Sequence, residues 1–144
     1  MTEHMEEAGS REALQLLEST GPGRQAAKAI REKAATVRFG PTVKGAIAQY
    51  DPDSHEITVH ESLKTASPKV LAAHLAHEGT HVLWDRPNSI DQEYHAFKAQ
   101  AEVWDQIKGE ETDTQCDWVS WMIAQREEEA KLLITALYKG LPDY

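Results

Sequence analysis

The clearest apolar pattern in the chain runs through residues 90–104, where apolar side chains recur at spacings of four, three, four and three: Ile90, Tyr94, Phe97, Ala101 and Trp104. This spacing puts all of them on one face of a helix, which we expect to pack against the core. Residues 89–92 (Ser-Ile-Asp-Gln) fit a capping box, and Gly109 is a suitable stop signal. The pattern therefore predicts a helix from about Ser89 to about Lys108.

The segment before it is apolar around most of its circumference rather than along one stripe. Its large apolar side chains are Val70, Leu71, Leu75, Val82, Leu83 and Trp84. Ser67 is a suitable N-cap, Pro68 suits the first helical position, and residues 85–88 (Asp-Arg-Pro-Asn) form a natural break. We therefore predict a buried helix from Pro68 to Trp84.

Weaker patterns predict elements on both sides of these two helices. Residues 2–19 indicate a modest helix, broken by Thr20-Gly21-Pro22-Gly23, and residues 24–35 indicate a second helix. Residues 46–50 and 56–60 predict two strands around the turn Asp51-Pro52-Asp53-Ser54, because Ile57 and Val59 alternate with polar neighbours.

The remaining segment predicts one long C-terminal helix. It begins near Thr112 or Thr114 and continues to Tyr138 or Lys139, with Gly140 and Pro142 as stop signals. The length of 144 residues suits a single domain, residues 1–144, in which residues 1–20 are loosely attached. The predicted fold class is α+β, with a small, mostly antiparallel sheet packed against several helices.

Composition narrows the possible partners and location. A net charge of −9 argues against binding nucleic acid or an anionic membrane surface. The longest apolar stretch is interrupted by histidine and glutamate and is too short to span a bilayer. The single cysteine, Cys116, excludes an internal disulfide, and the first residues lack the pattern of a signal peptide, so we expect a cytoplasmic protein.

The residues most able to bind a metal or to act as a catalytic base lie inside the predicted buried helix, at His77-Glu78-Gly79-Thr80-His81. Residues four apart share a helix face, so His77 and His81 can offer two imidazole nitrogens to one metal ion. Glu78 would then lie beside the metal, where its carboxylate can take a proton from a zinc-activated water. A buried hydrogen-bond network is the alternative that would also satisfy these polar side chains.

A catalytic zinc site usually has three protein ligands, and Glu93 is the best third candidate. At about 100° per residue, Glu93 lies roughly 60° from the centre of the apolar stripe of its helix. Asp91, His95 and Glu102 lie roughly 100° or more from that centre and should face solvent. Gln100, on the same side as Glu93, is a weaker candidate for a supporting partner.

Two histidines and a following glutamate resemble the ligand set of gluzincin metallopeptidases, and the chain length is closer to the minimal, minigluzincin-like members. The longer metzincin pattern is excluded, because it needs Gly at 84 and His at 87, where this chain has Trp84 and Pro87. The resemblance covers roughly residues 46–108. It implies a minimal zincin-like domain, one Zn²⁺ per chain on His77, His81 and Glu93, and Glu78 as the general base.

The resemblance also implies a peptide or protein substrate held by main-chain pairing along an edge strand beside the zinc. The candidate strand supplies Ile57, Thr58, Val59, His60 and Glu61; an ordinary hairpin is the alternative. An oxyanion donor is also required, and the sequence leaves His60, His95, Tyr138 and Tyr144 open for that role.

Two departures from the family pattern leave questions open. Many gluzincins have an acidic residue four positions after the ligand glutamate, and this chain has Phe97 there. His74 lies one turn before His77 and could support a ligand, replace one, or be a core histidine hydrogen bonded to a carbonyl; the last is favoured.

Two other functions remain compatible with the sequence. In one, zinc only joins two helices, and the protein is a non-catalytic module that acts through protein–protein interaction. In the other, the chain is a latent peptidase whose zinc is blocked by residues 140–144 or by Cys116 as thiolate. The sequence does not determine the oligomeric state.

Overall fold

A computed structural model describes residues 8–43 and 46–141 of the chain. Within them the fold is α+β, with six α-helices and one small sheet of three strands, as expected. The helices are α1 (Ala8–Glu18), α2 (Gly21–Glu32), α3 (Pro68–Trp84), α4 (Ile90–Ile107), α5 (Thr114–Ile123) and α6 (Glu127–Leu137). The strands are β1 (Thr36–Gly40), β2 (Ala48–Asp51) and β3 (Glu56–His60), and a short 3-10 helix, Glu61–Thr65, connects β3 to α3.

The sheet is mixed, with the order β1-β3-β2, and the prediction of a mostly antiparallel sheet is therefore wrong. The predicted hairpin forms as β2 and β3, with Tyr50 opposite Ile57. Strand β1 was not predicted, and it pairs with β3 in parallel. The chain turns from α2 into β1 at Ala34, which has a left-handed backbone with φ of 51°. Strand β1 is only five residues long and pairs with a strand that is distant in sequence, so its local residue pattern is weak.

Helix α3 is the centre of the molecule, because α1, α2 and α4 all pack against it. Its predicted start is confirmed: the Ser67 side chain accepts a hydrogen bond from the Lys69 backbone N–H. It ends at Trp84 as predicted, and Asp85 follows in the left-handed region. Among the described helices, none is both long enough and apolar enough to cross a membrane.

The first described helix is firmly packed rather than loosely attached. Ala13 and Leu17 of α1 are completely buried in the main apolar cluster, beside residues of α2 and α3. The expectation for residues 1–20 is therefore wrong for this helix, and residues 1–7 lie outside the described residues. The predicted break before α2 is correct, but Thr20 acts as its N-cap and Gly21 is its first residue.

The predicted long C-terminal helix is wrong, because the chain forms two helices with a break at residues 124–126. Arg126 has an extended backbone there, which ends the helical path of α5. The break lets α6 fold back, so that Met122 of α5 and Ile134 of α6 join one apolar cluster with Phe97 of α4. The spacing of residues alone favours one continuous helix here. Burial of apolar side chains between two short helices favours the break instead.

Gly79, inside the His-Glu-x-x-His segment, lies where α3 packs closely against Ala26 of α2. A Cβ atom at residue 79 would be 2.7 Å from the Ala26 Cβ and 2.9 Å from the Ala26 carbonyl oxygen. We expect Gly79→Ala to destabilise the fold by about 1–3 kcal/mol, because rigid backbone atoms would have to move.

The matched control for this substitution is Gly21→Ala, where an added Cβ meets nothing within 4 Å. Urea unfolding of both variants in the presence of a chelator measures the difference without any contribution from metal binding. Equal stability of the two variants would contradict the close approach of α2 and α3.

Candidate metal centre

Three polar side chains converge between α3 and α4. The Nε2 atom of His77 lies 3.1 Å from Oε1 of Glu93, and the Nε2 atom of His81 lies 3.2 Å from Oε2 of the same carboxylate. The ligand atoms of all three lie within 4.8 Å of one another. Glu93 is only 3% exposed, so the helical stripe correctly predicted that this acid faces inward.

The other ring nitrogens of the two histidines face amide oxygens. Nδ1 of His77 lies 3.1 Å from Oε1 of Gln100, and Nδ1 of His81 lies 2.6 Å from Oε1 of Gln92. An N–H donated from each Nδ1 orients the ring and leaves Nε2 directed toward Glu93. The pattern had indicated Gln100 as a weak candidate, whereas it had not indicated Gln92.

The Glu93 carboxylate has a further donor, since Nδ2 of Asn88 lies 2.7 Å from its Oε2. Asn88 belongs to the short connection between α3 and α4, which sequence reasoning treated only as a break. This connection brings the start of α4 back against the end of α3. Gln92 directly precedes Glu93 and Asn88 lies five residues before it, and polar amide residues so close to an inward-facing acid were the available signal.

In the metal-free chain the three groups stabilise one another by charge. Burial alone would raise the pKa of Glu93, but hydrogen bonds from His77 and His81 lower it well below its usual range. Burial would lower the pKa of His81, but the hydrogen bond and negative charge of Glu93 raise it to about 9. At neutral pH an ionised carboxylate therefore lies against a protonated imidazole, and a metal ion would have to displace that proton.

The donor set fits a zinc ion in both chemistry and spacing. Imidazole nitrogen and carboxylate oxygen are standard zinc ligands, with bond lengths of about 2.0–2.2 Å. In a tetrahedral site these lengths place neighbouring ligand atoms about 3.3–3.5 Å apart. The His77 and His81 contacts with Glu93, at 3.1 and 3.2 Å, would lengthen by only a few tenths of an ångström.

Glu78 is buried beside these groups and differs from them in its polar contacts. It is 5% exposed, and among the described residues no hydrogen bond or ion pair involves its carboxylate. Burial raises its pKa, an effect that His77 and His81 oppose and Glu93 reinforces. A carboxylate that is held near a cleft without a fixed donor can accept a proton from a bound molecule.

A cleft of about 530 Å³ opens onto this centre and is lined by His77, Glu78, His81 and Glu93. One wall is β2 with the residues before it, and another is the connection between α3 and α4. The prediction that Ile57, Thr58, Val59, His60 and Glu61 form the edge strand is wrong. Strand β3 lies between β1 and β2, and Glu61 already belongs to the 3-10 helix. The edge strand beside the centre is β2.

The candidate oxyanion donors occupy different positions relative to the cleft. His60 caps the 3-10 helix through Ser62, and His95 lies near Asp91 and Trp84, so neither lines the cleft. Tyr138, just after α6, does line it. Burial, followed by the charges of Glu93 and Glu78, raises the pKa of Tyr138. Tyr144 lies outside the described residues.

The groups predicted to block the zinc of a latent peptidase were Cys116 and residues 140–144. Cys116 is completely buried and does not line the cleft; its Sγ lies 4.0 Å from Nε2 of His74 and 4.0 Å from Nε2 of Gln100. Leu141 packs against the apolar cluster of α5 and α6, and residues 142–144 lie outside the described residues. His74 is buried, as the favoured interpretation of a core histidine expected, but among the described residues its ring contacts this thiol rather than a carbonyl.

Comparison with protein-family models, curated proteins and solved structures found no match to this chain.

Proposed function

We propose that this protein is a zinc-dependent metallopeptidase of the gluzincin type, reduced to a minimal zincin-like domain. The observation that carries the proposal is the arrangement of Glu93 between two Nε2 atoms with the unpaired, buried carboxylate of Glu78 beside them, at the base of a cleft. A structural metal site would need the three ligands but would have no use for Glu78.

His77, His81 and Glu93 would hold the zinc, and Gln100 and Gln92 would keep the two rings aligned. When bound, zinc would supply a Lewis acid that polarises the scissile carbonyl and makes water more acidic. Glu78 would take the proton from the attacking water and later deliver it to the leaving amine. Its raised pKa suits this task, because a carboxylate whose pKa is closer to the working pH both accepts and releases a proton more readily.

The substrate would be an extended peptide lying along β2. The side of β2 away from β3 is an edge, so its main-chain groups can pair with a peptide in the way a further strand would. Tyr138 lies across the cleft and remains protonated at neutral pH, so its hydroxyl can donate to the oxyanion that develops on the scissile carbonyl.

Two measurements on the zinc-loaded protein test this function. The first is cleavage of a diverse peptide library, detected by mass spectrometry, with and without a chelator. The second is zinc-dependent binding of a peptide hydroxamate, which requires an open coordination position. We expect cleavage that the chelator abolishes and hydroxamate binding that needs zinc. A zinc-loaded protein that neither cleaves peptides nor binds the hydroxamate would instead be a closed, non-catalytic module.

A further inference from the structure

We propose that the chain has a second metal site, formed by His74, Asp113 and Cys116, for a zinc-like divalent transition-metal ion. The ligand atoms of these three side chains lie within 4.8 Å of one another, the same bound that the first centre meets. The sequence predicted one zinc per chain, and none of these residues lines the cleft. The second site stands independently of the proposed peptidase activity.

The three ligands come from two places in the fold. His74 lies on α3, one turn before His77, while Asp113 and Cys116 lie at the start of α5. Asp113 is the N-cap of α5, and its Oδ2 accepts a hydrogen bond from the Cys116 backbone N–H at 2.9 Å. That bond holds the carboxylate and the thiol on the same turn, and α5 presents both to the ring of His74.

The spacing is close to that of a coordinated metal. Zinc bonds of about 2.0–2.1 Å to nitrogen and 2.3 Å to sulfur place these two atoms about 3.6 Å apart in a tetrahedral site. Nε2 of His74 and Sγ of Cys116 are 4.0 Å apart. Closing the site therefore requires a movement of a few tenths of an ångström between these two atoms, which rotation of the two side chains can supply.

The surroundings of His74 favour a metal over a simple hydrogen-bond network. The side chain is 95% buried, and among the described residues the contact with Cys116 is its one polar contact. A separation of 4.0 Å is too long for a strong hydrogen bond, so a buried imidazole is left poorly satisfied, which is costly. A metal ion on Nε2 would satisfy it.

The residue types suit the same ligand chemistry. Imidazole nitrogen, carboxylate oxygen and thiolate sulfur are all zinc ligands, and the metal would displace the thiol proton of Cys116 on binding. Thiolate and imidazole together select zinc-like ions over Mg²⁺ or Ca²⁺.

Gln100 connects the second site to the first. Its Oε1 faces Nδ1 of His77 at 3.1 Å, and its Nε2 faces Sγ of Cys116 at 4.0 Å. A thiolate on a bound ion is a stronger acceptor for the Gln100 amide than a neutral thiol. The second ion would thereby fix the amide orientation that keeps Nε2 of His77 directed toward Glu93.

Titration of the metal-free protein with Co²⁺ tests the proposal. Co²⁺ bound to a thiolate gives a strong near-ultraviolet charge-transfer absorption, which the first site cannot give because it has no sulfur. We expect the wild type to bind two Co²⁺ with one such band. Cys116→Ser should lose the band and one equivalent, whereas Glu93→Ala should keep the band and lose the other equivalent.

The wild type and Glu93→Ala decide the outcome even if Cys116→Ser does not fold, which circular dichroism would reveal. One Co²⁺ per wild-type chain without a sulfur band would overturn the second site and leave His74 and Cys116 as a buried polar network. Loss of the band in Glu93→Ala, with the fold intact, would also contradict an independent site. Neither result depends on peptide cleavage.

Discussion

Zinc binding at the first centre should fall by at least about 100-fold in Glu93→Ala. Removal of a side chain that only hydrogen bonds to a metal ligand typically lowers metal affinity by about 10–100-fold, and Glu93 would be a ligand itself. Its carboxylate also contacts both Nε2 atoms, so its removal takes away the negative charge that holds the two imidazoles together. Competition with a chromophoric zinc chelator measures the affinity directly.

Glu102→Ala is the matched control, since this glutamate is on the same helix but exposed. Elemental analysis of both variants should show the first-site zinc retained in Glu102→Ala and lost from Glu93→Ala. If the two variants hold zinc equally tightly, Glu93 is not a ligand and the contacts between α3 and α4 are only a buried ion pair.

Peptide cleavage should fall by about 10²–10⁴-fold in Glu78→Gln, with zinc content unchanged. The amide has nearly the same shape as the carboxylate but cannot accept a proton, and no hydrogen bond or ion pair between Glu78 and a described side chain would be lost. The turnover number and the zinc content of each sample are measured together, so that metal loss cannot be mistaken for loss of the base.

Glu102→Gln is the control for this second substitution, since it makes the same chemical change at an exposed position. Its activity should match the wild type. A Glu78→Gln protein that retains its zinc and cleaves peptides at the wild-type rate would remove Glu78 from the mechanism. Cleavage would then have to use another proton acceptor that lines the cleft.

Local signals correctly predicted α3 and α4, the two helices of the candidate metal centre. Ser67 and Ser89 both act as N-caps, as their positions indicated. Helical periodicity then correctly predicted that Glu93 faces inward. On a regular helix, the direction of a side chain follows from the number of residues that separate it from the apolar stripe. The proximity of Glu93 to His77 required one more condition, a short connection between the helices.

The sequence by itself thus determined α3, α4 and the inward direction of Glu93, through capping and periodicity within about twenty residues. Only the tertiary structure decided that β3 is central, that α6 folds back to bring Tyr138 to the cleft, and that His74 faces Cys116. These features depend on pairing and packing between distant segments. Their free energy comes from surface that each segment buries against another, and no single segment carries a pattern that specifies its partner.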